Sequence, residues 1–333
     1  MNWPAPVRLL LWPLSILYGA IARIKAWSYA KGWTHQRHLK GSVISVGNLT
    51  VGGTGKTPMV IWLAQKLIAQ GKHVAILSRG YRGTNGTSDE IEIMKDRLGH
   101  GVKVGVGKDR YAEGRRLEAQ GIDTFLLDDG FQHLKLARDT DILLVDASRP
   151  LEREQLLPLG RLREPLSAMK RANLVVCTRT ETPATATAVM SGLHDAQPFA
   201  ASIRLKGFRA VRDKKLLGPE AAEKGPFFAF CGVGNPDAFF RDLASWHVSV
   251  NGKLAFADHH RYNQQDVHRI EKMAQQAGAH ALVTTEKDEQ NVKNVLFDKF
   301  PVYVAVIDLE IVPENEFLVA IARSLEAKRG AAN

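Results

Sequence analysis

One stretch, VGNLTVGGTGKTPMV at residues 46–60, limits the architecture more than any other feature of the chain. Just before it, residues 42–46 (SVISV) are short, apolar and rich in β-branched side chains, and they read as a buried strand. Beyond it, residues 58–70 carry apolar positions at helical spacing, and Gly71 ends the run. A strand, a glycine-rich turn and a helix start together make an anion site, because free N–H groups and the helix dipole face one point. Pro58 suits the first helical turn, where its missing N–H is no loss. The loop departs from G-x-x-x-x-G-K-[ST] at one position: Thr50 stands where the opening glycine is expected. A β-branched residue there reads as a strand end. Val51, Gly52, Gly53, Thr54 and Gly55 then form the turn, with the glycines supplying backbone freedom. In that frame Lys56 reaches the outer phosphates of a nucleotide and the Thr57 hydroxyl holds Mg²⁺. Val51 also sets the loop apart from relatives with a second lysine near its start.

The chain has 333 residues, enough for about two domains. Strands are expected at 73–78, 103–106, 122–127, 141–146 and 173–178, with helices between several of them and a loop plus a short strand (90–94) after residue 84. Such alternation implies a parallel sheet covered by helices. Past residue 205 the rhythm restarts, with strands at 227–231, 281–285 and 302–308 and helices near 236–245, 264–277 and 314–328. The expected fold is therefore α/β: a P-loop NTPase-type parallel sheet flanked by helices, a second smaller α/β domain, and an N-terminal membrane-surface helix. The expected ranges are 1–35, 36–205 and 206–328, with crossing strands near 200–211 and 302–311. Cys177 and Cys231 sit in apolar stretches and read as core thiols.

Charge is distributed unevenly. The net charge is +10, yet residues 1–88 hold eleven Lys and Arg and no Asp or Glu. The remainder holds 45 − 11 = 34 basic against 35 acidic residues. That basic quarter calls for an anionic partner. Residues 9–22 (LLLWPLSILYGAIA) are nearly all apolar, and Pro13 interrupts a stretch too short to span a bilayer. From Pro13 onward, Leu14, Leu17, Tyr18, Ile21, Ile24 and Trp27 recur at helical spacing, and Trp3, Trp12 and Trp33 add interfacial anchors. This describes a helix lying on an anionic membrane surface. No nucleic-acid partner is expected, because no DNA- or RNA-binding signature accompanies the charge.

FLLDDG at 125–130 is an apolar strand ending in acids. Asp128 is placed toward Mg²⁺ and Asp129 toward substrate or metal. DDGFQH brings Gln132 and His133 to the same rim, and LREP (162–165) offers Arg163 to stabilise phosphoryl charge. ADHHRY (257–262) pairs His259 with His260 on a loop, where a general-base or orienting role fits better than a metal site.

The motifs GNLTVGGTGKTP (47–58), SRGYRG (78–83), DDGFQH (128–133), LPLGRLREP (157–165), GVGNP (232–236), DHHRY (258–262) and TTEKD (284–288) run in the order of the tetraacyldisaccharide 4'-kinase family, and the resemblance covers nearly the whole chain. The resemblance implies transfer of the γ-phosphate of ATP, with Mg²⁺, to the 4'-hydroxyl of an acylated glucosamine disaccharide 1-phosphate. The product would be lipid IVA, an intermediate of lipid A, made at the cytoplasmic face of a Gram-negative inner membrane. A loop without its first glycine is itself a feature of that family. The resemblance also supplies roles: Asp89 as base assisted by His259, Glu90 near the metal, and Arg110 and Arg163 on phosphates. Asn48, Arg79, Gln132 and His133 stand on the substrate side. The family's GDEP motif here reads SDEI, with Ser88 and Ile91 at its ends. The alternative reading from the residues alone is a membrane-associated P-loop ATPase that drives assembly with a protein partner.

Overall fold

A computed structural model describes residues 3–80, 88–194 and 197–330. The expected turn at 78–83 and the loop after it thus lie partly outside the described residues. The chain forms two compact units, Met1–Ser202 with Glu310–Asn333, and Ile203–Leu309.

The first unit opens with α1 (Ala5–Ala30), a 26-residue helix that passes through Pro13. The expectation of a stretch too short to span a bilayer is corrected here: by length and composition α1 is long enough to cross a membrane, with a mean hydropathy of 1.5. Proline at position 13 removes the N–H that would bond the carbonyl of Leu9, a residue on the exposed side of the helix, so no buried partner is orphaned. The chain continues through β1 (Ser42–Asn48), α2 (Lys56–Ala69), β2 (Val74–Ser78), α3 (Asp89–Leu98), β3 (Val102–Val106), α4 (Arg110–Glu118), β4 (Thr124–Asp128), β5 (Thr140–Asp146), β6 (Leu174–Thr178), α5 (Pro183–Met190) and β7 (Phe199–Ala210). The sheet order in this unit is β3-β2-β4-β1-β5-β6-β7. Its pairings are parallel. β1 lies centrally and is buried at every position. That accounts for its continuous β-branched and small residues, since both faces are covered. α2 buries Met59, Val60, Leu63 and Leu67 against the sheet. Each such side chain contributes roughly 1.5–3 kcal/mol.

The expected short strand at 90–94 is instead the middle of α3. Ile91 and Ile93 alternate with acids and mimic a strand, but the ends carry helix signals. Acids fill the first turn, Lys95 and Arg97 the last, and Gly99 caps the helix at φ 56°.

The chain leaves this unit within β7 and builds a second one from β8 (Leu216–Leu217), β9 (Phe227–Cys231), α6 (Pro236–Ser245), β10 (Val250–Ala255), α7 (Gln264–Gln276), β11 (Ala281–Thr285) and α8 (Glu286–Val292). It returns within β12 (Val302–Val312) and ends in α9 (Glu314–Gly330). The order β10-β9-β11-β12 is again parallel. α9 belongs to the first unit, so the smaller unit is shorter than the expected 206–328. There Phe317 packs on Trp62 of α2 and Phe199 of β7, at ring distances of 5.9 and 4.9 Å. Both cysteines are free and buried, and burial pushes each thiol up to about 12.

Candidate active site

Parallel strands end together, so their last residues share one edge. In the first unit that edge carries Asn48, Ser78, Asp128, Asp146 and Thr178. The phosphate loop leaves β1 here. β1 ends at Asn48, short of the expected strand end at Thr50, which is buried in an isolated antiparallel bridge with Leu162. The turn then forms at Gly52 (φ 116°) and Gly55 (φ 85°), both in the left-handed half of the map. Gly55 caps α2 without any side-chain bond to the first helical N–H groups. A Cβ at Gly53 would meet nothing within 4 Å. The result is an open cradle of donors at a helix start.

Charged side chains converge beside it. Lys56 Nζ donates to Asn48 Oδ1 at 3.3 Å and lies 3.6 Å from Asp129 Oδ1. Arg163 grips Asp129 with both terminal nitrogens, each at 2.8 Å, and also donates to Asn48 Oδ1. Arg110 Nη1 donates to the Asp129 carbonyl at 3.2 Å. Burial alone would raise the Asp129 carboxyl, but the Arg163 hydrogen bonds, Lys56 and Arg110 outweigh it and bring it down to about 2. Asp129 adopts φ 51°, a conformation uncommon outside glycine. Asp128, the preceding residue, behaves oppositely. It accepts from Ser78 Oγ at 3.3 Å, and burial raises its pKa, with Asp129 and Glu90 adding to the rise against Lys56 and Arg110. Gln132 donates to the Asn48 carbonyl at 3.0 Å. His133 is lowered to about 4, first by burial and then by Arg110, Arg138, Lys25 and Lys135, so its ring is neutral at pH 7. Among the described residues, Gln132 Oε1 and Arg163 Nε belong to the buried side-chain atoms without a hydrogen-bond partner.

A family model described as tetraacyldisaccharide-1-P 4'-kinase matches residues 7–326. The chain belongs to this family. The tetraacyldisaccharide 4'-kinase of Geobacter sulfurreducens is 41% identical, covering 92% of this chain and 91% of that protein. Its counterpart from Geobacter metallireducens is 38% identical, with 96% and 98% covered. A crystal structure of LpxK from Aquifex aeolicus in complex with ATP aligns with a TM-score of 0.75 at 29% identity, over 96% of this chain and 99% of that one. The chain is thus a kinase, an ATP-dependent phosphotransferase acting at the 4'-position of the lipid A precursor.

For this tetraacyldisaccharide 4'-kinase family member, the fold gathers Asn48, Lys56, Asp128, Asp129, Arg110, Arg163 and Gln132 at one edge of the first unit. Glu90 stands close enough to raise Asp128, and Asp89 precedes it in the first turn of α3. His259 belongs to the second unit, at φ 59°, with its N–H on the Gly232 carbonyl at 3.0 Å. Its neighbour His260 is committed to Asp266 Oδ2 at 3.0 Å and stacks on Phe256. TTEKD, read as a charged strand-end or loop cluster, is the end of β11 and the first turn of α8, held by Thr285 capping Asp288. Sequence reasoning missed Ser78, Arg161 and Thr178. Thr178 Oγ1 donates to the Thr54 carbonyl at 3.1 Å. Ser78 and Thr178 each end a strand of the parallel sheet, and that position is the signal that finds them.

Proposed function

We propose that this chain binds ATP in the 50–57 loop with Mg²⁺ and phosphorylates the sugar hydroxyl from a peripheral position on the cytoplasmic face of the inner membrane. The carrying observation is the convergence of Lys56, Arg163 and Asn48 on Asp129 beside the uncapped start of α2. Asp129 acts as a stand-in anion. When phosphates enter, Lys56 and Arg163 turn part of their donors to them, and Asp129 keeps both cations aimed. The donor set suits Mg²⁺: Asp128 is a buried carboxylate crowded by Asp129 and Glu90, and a cation there would relieve the crowding. Mg²⁺ is usually bound through one or two carboxylates plus phosphates, and Asp128 with Glu90 beside it offers that many. Thr57, Asp128 and Glu90 would hold it, and bound there it would neutralise phosphate charge. Asp89, in the first turn of α3, takes the proton of the attacking hydroxyl. Asn48, Arg79, Arg110, Gln132 and the neutral His133 line the substrate side.

The membrane reading rests on α1. Its Ser15, Tyr18 and Gly19 face the body: Ser15 Oγ bonds the Leu156 carbonyl at 2.9 Å, Tyr18 the Arg163 carbonyl at 3.1 Å, and a Cβ at Gly19 would strike Leu156. Leu9, Leu10, Leu17, Ile21 and Ile24 are exposed on the other side, from 58 to 78%. A helix docked along its flank lies in the interface, with the basic first quarter toward lipid phosphates.

The test uses purified protein in detergent with γ-labelled ATP, Mg²⁺ and tetraacyldisaccharide 1-phosphate. Lys56→Ala is expected to cut lipid labelling by about 10²- to 10³-fold, and Asp89→Ala by about 10²- to 10⁴-fold. Full labelling by Asp89→Ala discards that base. Hydrolysis of ATP with no label in the lipid, under several detergents, transfers the case to an ATPase with a protein partner.

A further inference from the structure

The phosphate loop is gripped from outside by a segment more than a hundred residues away. Arg161 donates twice to the Val51 carbonyl, from Nε at 3.1 Å and Nη2 at 2.8 Å. Its remaining terminal nitrogen lies 3.3 Å from Glu154 Oε1. The Val51 N–H in turn donates to the Arg161 carbonyl at 2.8 Å. Residue 51 is therefore held on both its backbone groups by residue 161. The holder is itself closed: Leu162 N–H bonds the Gln155 carbonyl, Leu157 N–H the Leu162 carbonyl, and Gly160 lies so near Gln155 that a Cβ would be 2.3 Å from its oxygen. Both side chains of the ion pair are largely buried, at 15 and 19% exposure.

The peptide plane between Val51 and Gly52 is the soft point of this loop. Gly52 sits at φ 116° and, as glycine, tolerates either orientation of that plane. A flip would exchange the positions of a carbonyl and an N–H, since a trans peptide points them in opposite directions. In a cradle built to receive phosphate, an inward carbonyl repels the ligand and removes a donor. Gly52 also leaves room for the grip, because a Cβ there would come within 3.0 Å of Arg161 Nη2.

We infer that Arg161 is a positioning residue for phosphoryl transfer, fixing the Val51–Gly52 peptide so that the loop presents N–H groups to the nucleotide. This rests on the reading that the loop binds ATP. Three of the five N–H donors of Arg161 are committed to Val51 and Glu154. It acts through the loop, and Glu154 orients it.

The experiment measures ATP affinity, kcat, lipid KM and melting temperature for wild type, Arg161→Ala, Arg161→Lys, Glu154→Gln and Lys56→Ala in the full chain in detergent. Arg161→Ala is expected to weaken ATP about 10- to 100-fold, the loss of charged hydrogen bonds. Lipid KM is expected to stay within about twofold, because the inferred role acts on the nucleotide through the loop. Arg161→Lys, with one point charge for a fork, falls between, and Glu154→Gln shows a smaller loss of the same kind. Amide exchange at residues 51–55 should quicken in Arg161→Ala with the rest of the chain unchanged. ATP affinity within twofold of wild type in Arg161→Ala overturns the inference. So does a fall in ATP affinity, lipid affinity and melting temperature together, with Arg161→Lys no better than alanine. If Lys56→Ala also binds and uses ATP normally, the nucleotide reading itself fails. If only Lys56→Ala is impaired, the clamp alone is wrong.

Discussion

Asp129 and Asp288 follow buried parallel strands, β4 and β11, and each lies among neighbouring acids, yet the two units treat them in opposite ways. Asp129 is held by cations: Arg163 on both oxygens and Lys56 nearby. Asp288 is held by neutral donors, the Gly232 N–H at 2.7 Å, the Tyr262 hydroxyl at 2.8 Å and the Thr285 hydroxyl at 2.6 Å. Cations bring Asp129 down to about 2, whereas burial raises Asp288 against the bonds from Thr285, Tyr262 and Gly232. The Asp288 bonds tie together three motifs, GVGNP, DHHRY and TTEKD, that look like separate functional loops in the sequence. Its flanking acids Glu286 and Glu289 are taken up by Arg209 within the same unit. A carboxylate that gathers cationic side chains at an open helix start can exchange them for a ligand. One that gathers fixed neutral donors in the interior serves architecture.

Substitutions at the two positions should separate these roles. The largest effect is expected for Asp129→Asn, which leaves Lys56 and Arg163 unaimed: kcat falls about 10²- to 10³-fold, while the melting temperature above pH 5 falls only by the modest contribution of its ion pairs. Kinetics and calorimetry on one preparation check it, and equal losses of activity and stability would erase the contrast. Asp288→Ala should do the reverse. It orphans the Gly232 N–H and two hydroxyls and costs about 3 kcal/mol of stability in urea unfolding. Tyr262→Phe removes one of those donors, and about 1 kcal/mol should be lost by the same measurement.

The subtlest difference is in pH dependence. The Asp129 carboxyl is depressed from its ordinary 3.8 to about 2, so its contribution is complete above pH 4 and is lost as pH falls toward 2. Asp288 is raised, so its contribution is complete below its ordinary value and is lost as pH climbs through the higher native one. Acid titration of stability should therefore show a shallower loss between pH 4 and 2 in Asp129→Asn. Asp288→Asn should instead lose the decline on the other side of pH 4. Matching curves for the two variants would mean that the carboxylates titrate alike.

The local elements were legible because their information is local. Residues 42–70 announce strand, turn and helix within a single contiguous run, although β1 ends at Asn48 and Thr50, expected to end it, forms an isolated bridge to Leu162 instead. The parallel sheet was legible from buried apolar strands ending in polar residues, as at Asp128 and Asp146. α3 was misread because Ile91 and Ile93 happen to alternate, a period-two signal inside a helix whose caps decide the matter. The extent of α1 was underestimated at Pro13, since a proline ends a helix in isolation but not one whose lost bond faces outward.

By itself, the sequence determined the chemical inventory: a phosphate loop, strand-end acids, arginines in LPLGRLREP and an apolar, acid-free first quarter. What only the tertiary structure decided is which of these groups face each other. Arg163 meets Asp129 from 34 positions away, and Arg161 meets Val51 from 110. Such pairings follow from how parallel strands order themselves in a sheet and how the segment after β5 folds back over the loop after β1. No periodicity or motif encodes that geometry, because hydrogen bonds between distant segments form only where packing has already brought them within reach.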